Sequence, residues 1–210
     1  MSDWDEQVRR IKAWNRVGVL GNGDVGFTAT SSVSAKPGDL GLPRTTITAP
    51  GWDAARPADS FRAFARHIHE KAKTVLLRDG NHSEMFFFIP QDGKGHIVLW
   101  RGSDRELEAR WLRKHVNDHR AYGVVHVVEA WMHVARTPDD HTLKQITDGE
   151  IKVSELKPEH RQEVLMVSAQ AHDGWAISWT DEIVRVGGKP VLGACHEIAD
   201  FRGRFGQVFG

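Results

Sequence analysis

The chain has 210 residues, of which 40% are hydrophobic and 27% are charged, a composition typical of a globular protein with one medium-sized domain. Its 28 basic side chains balance its 28 acidic ones, so no overall field draws it to nucleic acid or to an anionic membrane. The single cysteine, Cys195, excludes an intramolecular disulfide and a cysteine-rich zinc site.

The first residues of the chain carry no targeting pattern. The acidic segment Met1–Glu6 lacks the apolar stretch of a secretory signal. No apolar run in the sequence reaches the ~18 residues that a membrane-spanning helix needs. The sequence therefore predicts a cytoplasmic protein without a membrane span.

Residues 1–57 predict an appendage made of a short helix, a hairpin and a loop. Ser2 and Asp5 resemble a helix N-cap followed by an acid in the first turn. The segment Gly21–Gly26 contains Asn-Gly between apolar runs, which favours a type I′ hairpin turn. Its glycines also match the dinucleotide fingerprint, but the poor helix formers that follow favour the hairpin. A loop rich in Ser, Thr, Gly and Pro then includes one short strand at Thr45–Thr48.

Residues 58–210 predict the main domain, which opens with a helix near Asp59. Apolar residues at i, i+3, i+4, i+7 and i+11 give that helix one buried face. Three strand-like runs separated by turn residues follow, and they indicate an antiparallel meander. A capping box at Ser103 and Glu106 begins a second helix. The three runs are Thr74–Arg78, Glu84–Ile89 and His96–Trp100.

The longest apolar run, residues 121–136, directly follows the second helix and predicts a strand that is apolar on both faces. After a polar excursion, strands are predicted at Glu163–Gln170, Trp175–Val186 and Lys189–Leu192. The short links between strands favour antiparallel pairing. We therefore expect an α+β fold of two layers, with a mostly antiparallel sheet of about five to seven strands and two main helices on one face.

The order of elements is comparable to that of Roadblock-like and profilin-like folds, a likeness that concerns fold alone. Three segments are similar to small uncharacterised bacterial proteins, and this resemblance extends over the last two-thirds of the chain. It implies no particular activity. The segments are Val75–Met85, Ala130–Met132 and Gly203–Phe205.

His115 and His119 form the best candidate metal site in the sequence. Their i, i+4 spacing on a helix places both imidazoles on one face, as zinc ligation requires. A third ligand is not visible from spacing, and histidines in a last helical turn are also favoured by the helix dipole. By contrast, His67 and His69 point about 200° apart around a helix and cannot share an ion.

Glu129 is the candidate catalytic carboxylate, because it lies in the middle of the long apolar strand. It shares a strand face with Trp131 and His133, and burying it unpaired would raise its pKa toward the range useful for acid–base catalysis. Glu129 and His133 would then line a catalytic pocket. The alternative is a cross-strand salt bridge or exposure at the sheet edge. Weaker candidates are His82 and Glu84 at a polar turn, and the adjacent Cys195, His196 and Glu197.

These patterns favour a non-catalytic binding or assembly module that associates with itself or with another protein through its sheet. The alternative is a metal-dependent hydrolase in which His115 and His119 hold a divalent ion and Glu129 is the general base. A third hypothesis is nucleotide binding at Gly21–Gly26. The sequence leaves open whether the protein is an enzyme.

Overall fold

The computed structural model describes most of the chain after residue 43. The predicted N-terminal helix, the hairpin at Gly21–Gly26 and the capping residue Ser103 lie outside the described residues. No helix among the described residues is long and apolar enough to cross a membrane. The described residues are 30–31, 44–100, 105–133, 141–147, 150–201 and 207–209.

One antiparallel sheet of eight strands forms the centre of the described structure. The strands are β1 (Thr30–Ser31), β2 (Arg44–Thr48), β3 (Met85–Pro90), β4 (Lys94–Leu99), β5 (Ala121–His133), β6 (Arg161–Ala171), β7 (Ala176–Val186) and β8 (Lys189–Ala199). Their spatial order is β1-β2-β4-β3-β5-β6-β7-β8. Strand β2 precedes the predicted domain boundary at residue 57, yet it pairs with β4 along its whole length. The predicted antiparallel α+β class is confirmed.

Helix α1 spans Pro57–Asp79, and its predicted apolar face is buried as expected. The strand predicted at Thr74–Arg78 is wrong, because these residues are the last turns of α1. Val75 and Leu76 follow Ala72 at i+3 and i+4, so they continue the helical stripe and are buried with it. The helix ends only at Gly80, whose φ of 83° gives the left-handed conformation that glycine accepts at low cost.

The other helical segments follow β4 and β5. Helix α2 follows β4 and buries Leu112 and Val116, as predicted. The described part of the polar excursion after β5 contains a short third helix and two 3₁₀ turns. These segments are α2 (Arg105–Asp118), α3 (His141–Thr147) and the turns Val153–Glu155 and Pro158–His160.

The two main helices cover opposite faces of the sheet, which corrects the expectation that both lie on one face. Phe87 of β3 packs with α1 in one apolar cluster, whereas its neighbours Phe86 and Phe88 pack with α2 in another. Adjacent residues of a strand point to opposite faces, so the clusters lie on either side of the sheet. We call these sides the α1 face and the α2 face. Strand β5, which is apolar on both sides, is covered by both helices as a result.

The C-terminal residues 207–209 dock on the α2 face. Val208 and Phe209 are buried in the cluster that contains α2, and the Val208 amide donates to Gln170 Oε1 at 3.2 Å. At the other end of the sheet, β8 is longer than predicted and most of its residues are exposed. Among the described residues, no strand pairs with the outer edge of β8.

Candidate metal centre

Three histidines meet where α2 packs over β4. His115 and His119 come from α2 and the residue after it, and His96 comes from the facing strand. One ring nitrogen from each lies within 4.8 Å of the others, and His96 Nε2 is 2.6 Å from His115 Nε2. His115 is buried and the other two are half-buried, so the cluster has one side open to solvent. The structure thus brings the predicted pair together with a third histidine that the sequence did not reveal.

Aromatic rings hold these imidazoles in place. His96 alternates with the buried Val98 on β4, so its side chain points to the α2 face. There its ring stacks on Phe88, with centroids 5.2 Å apart and planes 19° apart. His115 contacts the same Phe88 at 4.4 Å and stacks on Trp111 at 4.8 Å. Rings packed in this way lose rotational freedom during folding, which lowers the cost of ordering them around a ligand.

The electrostatic setting favours a cation at the three histidines. His115 lies in the last turn of α2, and His119 follows immediately after it. The C-terminal end of a helix carries the negative pole of its dipole, which favours positive charge nearby. A metal ion placed between the three rings would benefit from this field.

The donor set and its spacing fit zinc with a small adjustment. Zinc bonds to histidine nitrogen are about 2.0–2.1 Å long, so two ligands of a tetrahedral ion stand about 3.3–3.4 Å apart. The Nε2 atoms of His96 and His115 are 2.6 Å apart and would separate slightly. Without an ion, one of these nitrogens must donate a proton to the other, because two lone pairs at that distance repel.

Glu129 lies on the α1 face, the side of the sheet away from the three histidines. It alternates with Val127 and Val125, which pack against α1. Its Oε1 accepts the His82 amide, and its Oε2 lies 2.9 Å from Arg185 Nη2. Burial raises the pKa of Glu129, although the His82 amide and Arg185 act in the opposite direction. The structure therefore contains the salt-bridge alternative rather than an unpaired carboxylate.

Arg185 links the sheet to the C-terminal end of α1. Its guanidinium also binds Glu163 on β6, with Nη2 2.6 Å from Oε1 and Nε 3.1 Å from Oε2. It donates as well to the carbonyl of Gly80, the C-cap of α1. A cation at that position satisfies a terminal helix carbonyl and complements the helix dipole. These contacts give Glu129 a structural role.

His133 is not brought together with Glu129. The residues are four positions apart on one strand, a separation of about 13 Å at the rise of a β-strand. His133 Nδ1 instead lies 2.8 Å from the carbonyl oxygen of His160. Between them Trp131 is 43% exposed, and the Arg161 guanidinium carbon lies 4.4 Å from its ring centroid.

Two further groups of metal-type side chains were not predicted as groups, although Glu84 and Cys195 were each named as weaker candidates. Glu84, Glu108 and His126 meet on the α2 face, where His126 Nε2 is 2.8 Å from Glu84 Oε1. Helical spacing could have placed Glu108 on the face of α2 that carries His115, since the two residues are seven positions apart, about two turns. The second group, on the α1 face, consists of His69, Asp181 and Cys195. Its residues come from three distant elements, so no spacing in the sequence could indicate it.

A cavity of about 520 Å³ lies beside the end of α2. Its lining includes Val116 and Asn117 of α2 but none of the three histidines. Arg120, with a left-handed φ of 48°, adds a cationic side chain, and Phe209 adds an apolar wall. Its volume is in the range of sites for small organic ligands.

No protein-family model matches this chain, and neither a curated protein nor a solved structure matches it. The resemblance of Val75–Met85, Ala130–Met132 and Gly203–Phe205 to small bacterial proteins therefore stays a prediction. Function must be argued from the sites themselves.

Proposed function

We propose that this protein is a metal-dependent hydrolase whose divalent ion, zinc in the first instance, is bound by His96, His115 and His119. The observation that carries the proposal is the position of His96. It supplies, from another element, the third imidazole that the helical pair lacked. Three protein ligands leave a fourth tetrahedral position open, as in catalytic rather than structural zinc sites.

The open fourth coordination position of the proposed ion favours hydrolysis. Zinc lowers the pKa of a bound water to about 7, which supplies a hydroxide nucleophile at neutral pH. The half-buried His96 and His119 leave this position accessible from solvent.

The proposal assigns no catalytic step to Glu129. The sheet separates this carboxylate from the three histidines, and its oxygens already bind His82 and Arg185. A general base must come within hydrogen-bond reach of the proton that it removes. Glu129 does not meet this condition at the three-histidine centre.

Hydrolysis of an activated aryl ester tests the proposal. We expect the zinc-loaded protein to hydrolyse the ester, chelation to abolish the activity, and added zinc to restore it. His96→Gln and His119→Gln should remove the zinc-dependent rate. The matched control His141→Gln changes an exposed histidine outside both the cluster and the cavity and should keep it. A rate that is unaffected by chelation, or that survives in His96→Gln, would contradict the hydrolase.

A second candidate function, self-association, is favoured by the exposed edge of β8. This strand of 11 residues carries the unpaired outer edge of the described sheet, and an open edge can accept another strand. Its neighbourhood is apolar, because Val184, Val186 and Val191 are 44%, 62% and 49% exposed. The occupant we infer is β8 of a second copy. Antiparallel pairing centred on Gly193 would set Lys189 of each copy opposite Glu197 of the other.

Light scattering tests this pairing. We expect a dimer for the unmodified protein and a monomer for Val191→Lys, because two new lysines would then face the paired edge. Leu77→Lys, a 50% exposed residue on α1, is the matched control and should remain dimeric. A monomeric unmodified protein would exclude self-association and leave the metal proposal unaffected.

A further inference from the structure

A second group of metal-type ligands lies on the α1 face, away from the three histidines. His69 comes from α1, Asp181 from β7 and Cys195 from β8. A ligand atom from each lies within 4.8 Å of the others, and His69 Nε2 is 2.5 Å from Asp181 Oδ2. His69 is 5% exposed and Asp181 is 2% exposed, whereas Cys195 is exposed. The group is thus a buried histidine–aspartate pair with a thiol on its solvent side.

The surrounding side chains fix the orientation of the imidazole. The ring of His69 stacks on Trp179 with centroids 5.1 Å apart and planes 9° apart. Trp179 is itself held by a 2.8 Å hydrogen bond from Nε1 to Glu197 Oε2 on β8. On the other side of the ring, His69 Nδ1 lies 3.7 Å from Glu70 Oε1. At this distance the exposed Glu70 carboxylate makes a charge contact rather than a hydrogen bond, so stacking on Trp179 is what orients the ring.

Strand register places the thiol in this group. Cys195 pairs directly with Asp181 across β7 and β8, so their side chains lie on the same face. The neighbouring His196 pairs with Thr180 and points to the opposite face. The pairing slips between Asp181 and Ile183, a bulge of the kind that often re-aims a side chain near a site.

We propose that His69, Asp181 and Cys195 form a second divalent-metal site, of the zinc class, that ties the edge strand β8 to helix α1. The donors are one imidazole nitrogen, one carboxylate oxygen and one sulfur, a set that zinc accepts and that harder ions such as magnesium do not. A thiolate and a carboxylate neutralise the two charges of the ion. The nearby cation, Lys73, is paired with Glu70 at 2.6 Å, so that pair adds no net charge.

Binding at this site exchanges protons for the ion. A cysteine without a bound metal carries its thiol proton at neutral pH, because the usual pKa of the side chain is about 8.5. The ion takes the place of the thiol proton, which passes to solvent, and the sulfur binds as thiolate. The ion also takes the place of any proton between His69 Nε2 and Asp181 Oδ2. Affinity for the ion should therefore increase with pH.

Cobalt(II) spectroscopy of the full chain tests this site separately from the three-histidine centre, because only a sulfur ligand gives a near-ultraviolet charge-transfer band. We expect the band in the unmodified protein and in His96→Gln. It should be lost in Cys195→Ser, an exposed and nearly isosteric change whose folding can be verified by circular dichroism. The matched control, His196→Gln, alters the next residue on the opposite strand face and should keep the band.

A thermal melt gives the second measurement. Zinc should raise the Tm of the His96→Gln protein, because the ion binds the folded chain and links β8 to α1. The increase should disappear when Cys195→Ser is added. Absence of the cobalt band in the unmodified protein, or an unchanged band in Cys195→Ser, would overturn the proposal and leave an ordinary buried histidine–aspartate pair.

Discussion

His96 Nε2 and His115 Nε2 lie 2.6 Å apart, although the residues are 19 positions apart in sequence and belong to a strand and a helix. This contact turns an isolated i, i+4 pair into a cluster of three imidazoles, on which the proposed metal centre depends. It depends on the packing of α2 over β4, where Phe88 touches both imidazoles. The tertiary fold, rather than the helix alone, therefore creates the site.

Replacing His96 should weaken zinc binding more than replacing a residue that only forms a hydrogen bond to a ligand. Loss of a hydrogen-bond partner of a ligand costs roughly 10–100-fold in affinity, and loss of a ligand removes a metal bond outright. We expect His96→Gln to bind zinc at least about 100-fold more weakly by competition with a chromophoric chelator. Both proteins carry Cys195→Ser, which removes binding at the second site. Equal zinc affinity with and without His96→Gln would show that His96 is not a ligand.

Removing the Arg185 guanidinium should destabilise the fold. Arg185→Met would leave Glu129 and Glu163, whose side chains are 18% and 17% exposed, without their shared cation. Breaking a buried pair costs about 3–5 kcal/mol, and partial exposure lowers our expectation to about 2 kcal/mol. Urea denaturation measures the loss. Adding Glu129→Gln should recover part of it, because one of the two unpaired charges is removed.

The matched control for Arg185 is an exposed ion pair. Lys114 lies 2.5 Å from Asp118 on α2, and their side chains are 73% and 53% exposed. Lys114→Met should change the free energy of unfolding by less than about 0.5 kcal/mol. If Arg185→Met lowers the free energy of unfolding no more than the control does, Arg185 does not stabilise the link between the sheet and α1.

His82 should make the fold sensitive to acid. Burial lowers its pKa from 6.5 to about 4, so the unfolded chain binds more protons between these values. Stability is therefore full above about pH 6.5 and decreases as the pH falls toward 4, by about 3 kcal/mol for this group. His82→Asn retains a donor for the Ser83 carbonyl and does not titrate. Denaturation curves at several pH values should show a smaller loss in the variant, and parallel pH profiles would contradict this assignment.

Gly123 should not tolerate a side chain. A Cβ at this position of β5 would lie 2.3 Å from two ring atoms of Phe61 on α1, so the helix would have to move. We expect Gly123→Ala to cost about 1–3 kcal/mol in thermal or chemical denaturation. The double variant with Phe61→Leu should lose less than the sum of the single changes. Full additivity would indicate that the strain arises elsewhere.

The sequence predicted the elements better than their arrangement. Periodicity correctly identified the buried face of helix α1 and most strands, because burial repeats at helical or strand spacing. It was wrong at Thr74–Arg78, where β-branched and aliphatic residues satisfied both patterns and the helical stripe extended further. It also did not reveal that the helices lie on opposite sides. The two apolar faces of β5 carried that information, but they do not specify what covers each face.

The candidate sites, like the fold, could be predicted within one element but not between elements. Helical spacing identified His115 and His119, since both lie on one element. His96 could not be found in this way, because its distance from them is set by how α2 packs on β4. Glu129 stood out as a carboxylate in an apolar strand, yet its partner Arg185 lies 56 positions away on another strand. Pairing of this kind depends on sheet order and register, which local patterns do not determine.

Zinc content after equilibrium dialysis tests the three-histidine centre most directly. The measurement uses Cys195→Ser, which removes the sulfur ligand of the second site, and compares it with the same protein carrying His96→Gln. We expect one tightly bound zinc per chain in the first protein and none in the second, with circular dichroism showing both folded. Absence of zinc from Cys195→Ser, or equal zinc in both proteins, would contradict the central claim.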